Sequence, residues 1–182
     1  TITPLKGNTP TQTLACVGLS TKTSAASVSN ITYTTADVSW TRGNGDYVLV
    51  VAAPIVVDFT PENGVQYEAN ASYIDGEQVG NGRVIYKGSG TNIALSNLPT
   101  GTNFSIAFFE FNSYDYDVPC YNKSAYTYSF SSPSDCYRTI SSGNWEDTLI
   151  WEKQLMCVGG WVPAEEIPSF NSSTVTISEG HQ

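Results

Sequence analysis

Apolar and polar positions alternate in short bursts along this chain, and the bursts return at short, regular intervals. "SNITYT", "DVSWT", "DYVLVVAA", "RVIYKG", "TNIALSNL", "NFSIAFFEFN" and "AYTYSFS" follow one another between Ser29 and Ser131. Each is rich in β-branched and aromatic residues, and Gly, Asn, Asp and Pro fill the gaps. No window sustains the i, i+3, i+4, i+7 spacing of a helix, so the pattern predicts an all-β chain, and strands spaced this way predict a sandwich. Trp40 shares a face with Val38 and points inward, where a large ring plugs the space between two sheets. "YVLVVAA" is apolar on both faces, which marks a central strand or one whose outer face is covered. "RGNGD", Arg42 to Asp46, predicts a tight hairpin, because Asn-Gly supplies the positive φ angles of a primed turn. Val175 and Ile177 alternate with Thr174, Thr176 and Ser178, so a further strand is expected over residues 173–178, one without an evident partner.

These elements divide the chain into a polar, Thr-rich N-terminal arm (1–24), a β-sandwich (25–138) and a β-rich C-terminal extension (139–182). A length of 182 residues suits one main core with an appendage. With 17 acidic against 8 basic residues the net charge is −9, and no cluster of Lys and Arg offers a phosphate-binding footprint, so nucleic acid is not an expected partner. The longest apolar run, Tyr47 to Val57, is about half the length of a membrane-spanning helix and contains Pro54, so no membrane span is expected. The sequence opens on Thr1, which reads as a processed mature form or as a window of a longer protein.

Cys16, Cys120, Cys136 and Cys157 are far apart and form no C-x-x-C. With His181 the sole histidine, two disulfides are expected rather than a zinc site, and with them an oxidising, extracellular setting. The bland alternative is four buried thiols. Of the three connectivities, Cys120–Cys136 with Cys16–Cys157 is the one expected.

Two resemblances follow from specific residues. "VSWTRGNGDYVLVVA" and the stretch from "VDFTPENG" to "FEFN" resemble the divergent fibronectin type III-like domains of Bacteroidota secreted and cell-surface proteins, over roughly Ala25 to Ser134. The resemblance implies an immunoglobulin/fibronectin-type sandwich. Such domains usually carry a tyrosine where "LPTGTNF" has Phe104, so this corner is expected to keep its packing and lose a hydrogen bond, about 0.5–1.5 kcal/mol. "SGNWEDTLIWE", "GGWVP" and "STVTISEGH" are similar to the motif with which many of these proteins open a second, solenoid-like β module. Trp145, Trp151, Pro163, Val175, Ile177, Gly180 and His181 match, and residues 152–158 are an insert containing Cys157.

Chemistry is sparse. His181 falls on the Gly-His of a structural motif, so no catalytic set is expected and the chain is read as non-enzymatic, without a cofactor. Asp46, Glu62, Asp75 and Glu77 sit beside Gly, Asn or Pro in turns, as solvated loop charge. Asp115 and Asp117 are weak candidates for Ca²⁺ oxygen ligands, without EF-hand spacing. Tyr114, Tyr116 and Tyr121 could contact a sugar or a protein, whereas Tyr126, Tyr128 and Phe130 have the spacing of one strand face. Asn30, Asn70, Asn103, Asn122 and Asn171 begin N-x-S/T sequons, and Thr148, in Asp-Thr-Leu, fits the O-glycosylation pattern that the resemblance brings in. The expected function is an extracellular structural subunit of a surface appendage, adhesin or filament, self-associating into an open polymer by strand addition through Val175 and Ile177. The alternative is a carbohydrate-binding module of a secreted polysaccharide-degrading enzyme.

Overall fold

The computed structural model describes residues 18–114, 118–169 and 172–182. Its secondary structure is all-β apart from three single 3-10 turns. One sheet has three strands: β1 (Ser24–Ser29), β2 (Ala36–Thr41) and, across β2 from β1, the later β6 (Asn92–Leu95). The second sheet is built on β3 (Tyr47–Pro54), which lies between β5 (Gly82–Gly88) and β7 (Asn103–Tyr114). The short β4 (Gln78–Val79) extends the β5 edge. The far side of β7 is shared, its end paired with β8 (Val118–Tyr121) and its start with β9 (Tyr126–Ser131).

The two sheets close on a core of Trp40, Val38, Val48, Val50, Ile85, Leu95, Ile106, Phe108 and their neighbours. Trp40 meets Tyr86 and Phe108 with ring centroids 5.2 and 5.3 Å apart, as its inward alternation predicts. Tyr126 and Tyr128 pack on this core and Phe130 belongs to it, so the β9 tyrosines are packing residues. The opposite face of the large sheet is also buried. Leu49, Val51, Val84, Ala107 and Phe109 pack under Val57, Phe59 and Tyr67, which belong to the long connection between β3 and β4. That cover is why "YVLVVAA" can be apolar on both sides: the strand is central and its outer face is roofed.

Two expectations fail here. "RGNGD" is no hairpin: β2 and β3 belong to different sheets, and none of Gly43, Asn44 or Gly45 has a positive φ. These glycines serve close approach instead. A Cβ on Gly43 would run into the Thr21 carbonyl oxygen, and one on Gly45 would lie 2.9 Å from Glu110 Oε2. "SNITYT" is not a strand either. β1 ends at Ser29, Asn30 turns the chain with φ 49°, and the hydroxyls of Thr32 and Thr35 bond each other at 2.7 Å.

The corner at Leu98–Phe104 keeps its packing: Phe104 is buried, stacked on Phe130 at 5.4 Å and edge-on to Tyr73 at 5.2 Å. Ser132 supplies the missing polar tie. Its hydroxyl donates to the Pro99 carbonyl at 2.6 Å and accepts from the Thr102 N–H at 3.0 Å.

A third sheet follows, in the order β12 (Val162–Pro163), β11 (Trp151–Gln154), β10 (Cys136–Thr139), β13 (Thr174–Thr176). It begins at Cys136, so the expected division at 138 cuts through β10. The strand expected to lack a partner has one: β13 runs parallel to β10, with Val175 opposite Tyr137. The disulfide expectation is also corrected, because Cys136 pairs with Cys157 across a Cα–Cα distance of 4.9 Å. Cys120 lies buried on β8 in the sandwich, while Cys136 opens the third sheet and the 152–158 insert folds back onto it. Cys120 is itself disulfide-bonded, and Cys16 lies outside the described residues.

Candidate functional site

The third sheet carries the strand singled out for assembly. Among the described residues its own core is small: Tyr137, Ile150, Trp151 and Ala164. The Ser-Gly-Asn-Trp motif builds one side, with Trp145 edge-on to Trp151 at 4.8 Å and the Trp151 indole N–H donating to the Trp145 carbonyl at 3.0 Å. Gly143 is needed there, since a Cβ would sit 2.7 Å from the Ile150 side chain. The Gly-His end clamps the other side. His181 Nδ1 lies 2.7 Å from the Thr139 hydroxyl, the Ser178 N–H donates to that same hydroxyl, and the Ser178 hydroxyl donates to the Thr139 carbonyl at 2.7 Å. Thus the histidine ring is hydrogen-bonded to the buried Thr139 of β10.

β13 is the outer strand of this sheet, and among the described residues no strand pairs its other edge. Val175 and Ile177 are 36% and 50% exposed. Ile140, Trp145, Leu149, Val158 and Val162, elsewhere in residues 139–182, are exposed too. The opposite face is polar, where Arg138 forms an ion pair with Glu152 at 2.7 Å and lies 4.3 Å over the Trp161 ring.

Asp135 joins this sheet to the sandwich. Its Oδ1 accepts from the Tyr33 hydroxyl and from the Met156 N–H, and Lys153 stands between Asp135 at 4.0 Å and Glu166 at 3.6 Å. The Tyr137 hydroxyl donates to Glu166 at 3.3 Å; burial, with the negative charge of Glu166 and Asp135, pushes its pKa up to about 12. Burial likewise raises Tyr33, helped by its bond to Asp135. These residues border a cleft of about 430 Å³.

The remaining sequence candidates scatter. Tyr121 is buried and donates to the Val65 carbonyl at 3.0 Å, and burial holds its pKa far above the usual phenol value, so it is unavailable to a sugar. Asp115, Tyr116 and Asp117, the side chain of Tyr114, and Asn171 lie outside the described residues. Asn30, Asn70 and Asn103 are exposed and Asn122 is half-buried; each already makes a local bond, to Asp37, Ser72, Ser131 and Ser124 respectively. Thr148 opens a 3-10 turn that the Asp147 carboxylate caps at the Leu149 N–H. Among the described residues no group of three or more His, Cys, Asp or Glu is placed to hold a metal.

One constellation escaped sequence reasoning. Glu110 sits on the inner face of β7 with its side chain fully buried, and its carboxylate takes five bonds. Arg42 Nε donates to both oxygens at 3.1 Å, Arg42 Nη2 to Oε2 at 2.7 Å, the Thr23 hydroxyl to Oε1 at 2.6 Å and the Gly43 N–H to Oε1 at 2.7 Å. Burial alone would raise its pKa, but the bonds to Arg42, Thr23 and Gly43 and the guanidinium charge outweigh it and hold the carboxyl below its ordinary value. A single acid in the apolar run "FFEFN", in step with the inward Phe108, was the available signal.

No family model matches this chain. No curated protein matches it either. Among solved structures it is similar to a β-sandwich protein described as a computer-based redesign, with 20% identity, a TM-score of 0.37, and coverage of 60% of this chain and 89% of that one. The chain is an all-β protein with several antiparallel sheets.

Proposed function

We propose that this chain is a non-enzymatic extracellular structural subunit of the fibronectin type III-like kind, which self-associates through the open edge of its C-terminal sheet. The observation that carries the reading is the unpaired outer edge of β13, bordered by the exposed Val175 and Ile177. An uncovered strand edge presents a row of backbone donors and acceptors that templates another strand, and the alternate side chains then fill pockets on the partner. The occupant is a second copy of this chain. A contact from one end of a molecule to a different surface of the next is heterologous, so it propagates into open filaments unless the rotation closes a ring. The passage from β2 in one sheet to β3 in the other matches the sheet-switching of immunoglobulin-type sandwiches, and two modes of covalent closure, at Cys136–Cys157 and at Cys120, suit an oxidising compartment.

Because β13 also pairs with β10, deleting it would damage the sheet, and the test uses charge instead. Val175→Lys and Ile177→Lys place ammonium groups on the edge, the device by which natural edges resist pairing. Electron microscopy and sedimentation of the unaltered chain should show filaments or higher oligomers, and the two variants should remain monomeric with unchanged circular dichroism. A monodisperse monomer of the unaltered chain at high concentration overturns the reading.

A further inference from the structure

At one end of the roofed outer face of the large sheet, the β3 side is left uncovered at Tyr47. Phe59 and Tyr67 cover Phe109 and Leu49, but the next pair, Tyr47 opposite Phe111, lies at the open end. Phe111 is buried beneath, and Tyr47 is stacked on it at 5.4 Å with the rings 28° apart, leaving Tyr47 40% exposed. Beside this pair runs an open groove of about 440 Å³, whose remaining walls are Lys87, Gly88, Gln66, Glu68 and Ser113. That volume falls within the roughly 300–1,000 Å³ of small-ligand sites.

The polar walls combine a fixed donor with an acceptor. Lys87 Nζ is held in place by the Gln66 Oε1 at 2.6 Å and the Tyr67 carbonyl at 3.3 Å, which uses two of the three ammonium donors. Among the described residues no hydrogen bond engages the Glu68 carboxylate, although the Glu68 backbone is pinned to Glu77 on both sides. One ammonium and one carboxylate leave the groove without a net charge to select an ion. What they do select is a neutral group that both donates and accepts, next to an apolar face that lies flat on an aromatic ring.

We propose that this groove binds a neutral pyranose unit of a polysaccharide. The C–H face of the sugar stacks on Tyr47, adjacent ring hydroxyls donate to the Glu68 carboxylate, and a further hydroxyl accepts from Lys87. The site lies on the sandwich and is independent of the β13 edge, so it adds a ligand to the assembly reading and does not depend on it.

Affinity electrophoresis in gels containing soluble starch, xylan, galactomannan or a mixed-linkage β-glucan tests it. The unaltered chain should be retarded by at least one of the four, and Tyr47→Ala and Glu68→Gln should each weaken that retardation about tenfold or more. Tyr47→Phe keeps the stacking ring and should keep most of the retardation, and unchanged circular dichroism of Tyr47→Ala separates a binding role from a folding one. Glu68→Gln is on the surface and serves as the second, fold-neutral variant. Retardation by none of the four polysaccharides overturns the proposal. So does retardation that survives Tyr47→Ala and Glu68→Gln but is lost in Tyr114→Ala or Tyr116→Ala, because those tyrosines and not the groove would then hold the sugar. Filament formation measured on the same groove variants should be unchanged, so failure here leaves the assembly reading standing on its own test.

Discussion

Glu110 is the position where one substitution should cost most. Its carboxylate is fully buried, Arg42 is only 14% exposed, and the five bonds between them and to Thr23 and Gly43 tie the 42–46 crossover and the segment before β1 to the centre of β7. Glu110→Ala leaves a buried guanidinium, a hydroxyl and a backbone N–H facing an empty space. Breaking a buried ion pair from one side costs about 3–5 kcal/mol. Glu110→Gln keeps the shape but turns an NH₂ toward donors on whichever side it is placed, because both oxygens accept from Arg42; a cost of about 2–3 kcal/mol is expected. Urea denaturation followed by tryptophan fluorescence at pH 7 reads both. The pH dependence supplies an independent check. A carboxyl whose folded-state pKa is depressed adds stability that is fully present above the unfolded-state value, about 4.3, and is lost as pH falls through the folded-state value. The gap between the unaltered protein and Glu110→Gln should therefore narrow in acid, as the protonated acid comes to resemble the amide. A gap below about 1 kcal/mol at pH 7, or one that stays constant to about pH 2, refutes the reasoning.

Cys136→Ser or Cys157→Ser opens a 21-residue separation and should lower the stability of the C-terminal sheet by about 3 kcal/mol; peptide mapping without reduction should return the Cys136–Cys157 cross-link and none between Cys120 and Cys136. Tyr137 should ionise near pH 12, seen as part of a late step in ultraviolet absorbance that Tyr137→Phe reduces, the rest belonging to other tyrosines raised by burial, such as Tyr33 and Tyr121. The folded state holds that proton longer than the unfolded chain, whose tyrosines titrate near pH 10, so its linkage makes stability fall between about pH 10 and pH 12. Ser132→Ala removes both bonds at the corner and should cost about 1–3 kcal/mol in the same urea assay, well above the near-zero effect of an ordinary exposed serine.

The all-β architecture was legible because period-2 alternation reports directly which side of a strand is buried, and the two-faced run at Tyr47–Pro54 announced a central strand before its roof was known. What was not legible depends on which sheet a strand joins. "RGNGD" has ideal hairpin chemistry, but local turn propensity carries no information about the next strand's partner, and the glycines turned out to make room for Thr21 and Glu110. Cysteine pairing fails for the same reason: residues 120 and 136 are near in sequence and belong to different sheets. Glu110 and Arg42 are 68 residues apart, and nothing local links them. Of the site candidates, His181 is tied to Thr139, 42 residues away, by a bond that no local pattern announces, while the groove at Tyr47 was hidden because its walls come from β3, β5, β7 and the roof together.

The C-terminal sheet is small for the work of holding four strands. Among the described residues its buried apolar cluster is Tyr137, Ile150, Trp151 and Ala164, a small core to set against the entropy of ordering the segment. Its stability is therefore borrowed. The Cys136–Cys157 bridge restrains the unfolded segment, the Ser178 and His181 bonds to Thr139 fasten the last strand, and Asp135 ties the sheet to Tyr33 of the sandwich. All of these ties act on the inner side of β13 or behind β10. None uses the outward edge of β13, so charge placed there should leave the fold intact and act only on whatever lies against that edge. A second strand added to the edge would cover Val175 and Ile177, and at roughly 25 cal/mol for each Å² of apolar surface removed from water even partial cover would add stability the small core lacks. Association and the folding of this sheet should thus be coupled. Filament-forming conditions should raise the apparent stability of the Cys136–Cys157 segment in hydrogen exchange, with Val175→Lys abolishing that rise while leaving exchange in β3 and β7 unchanged.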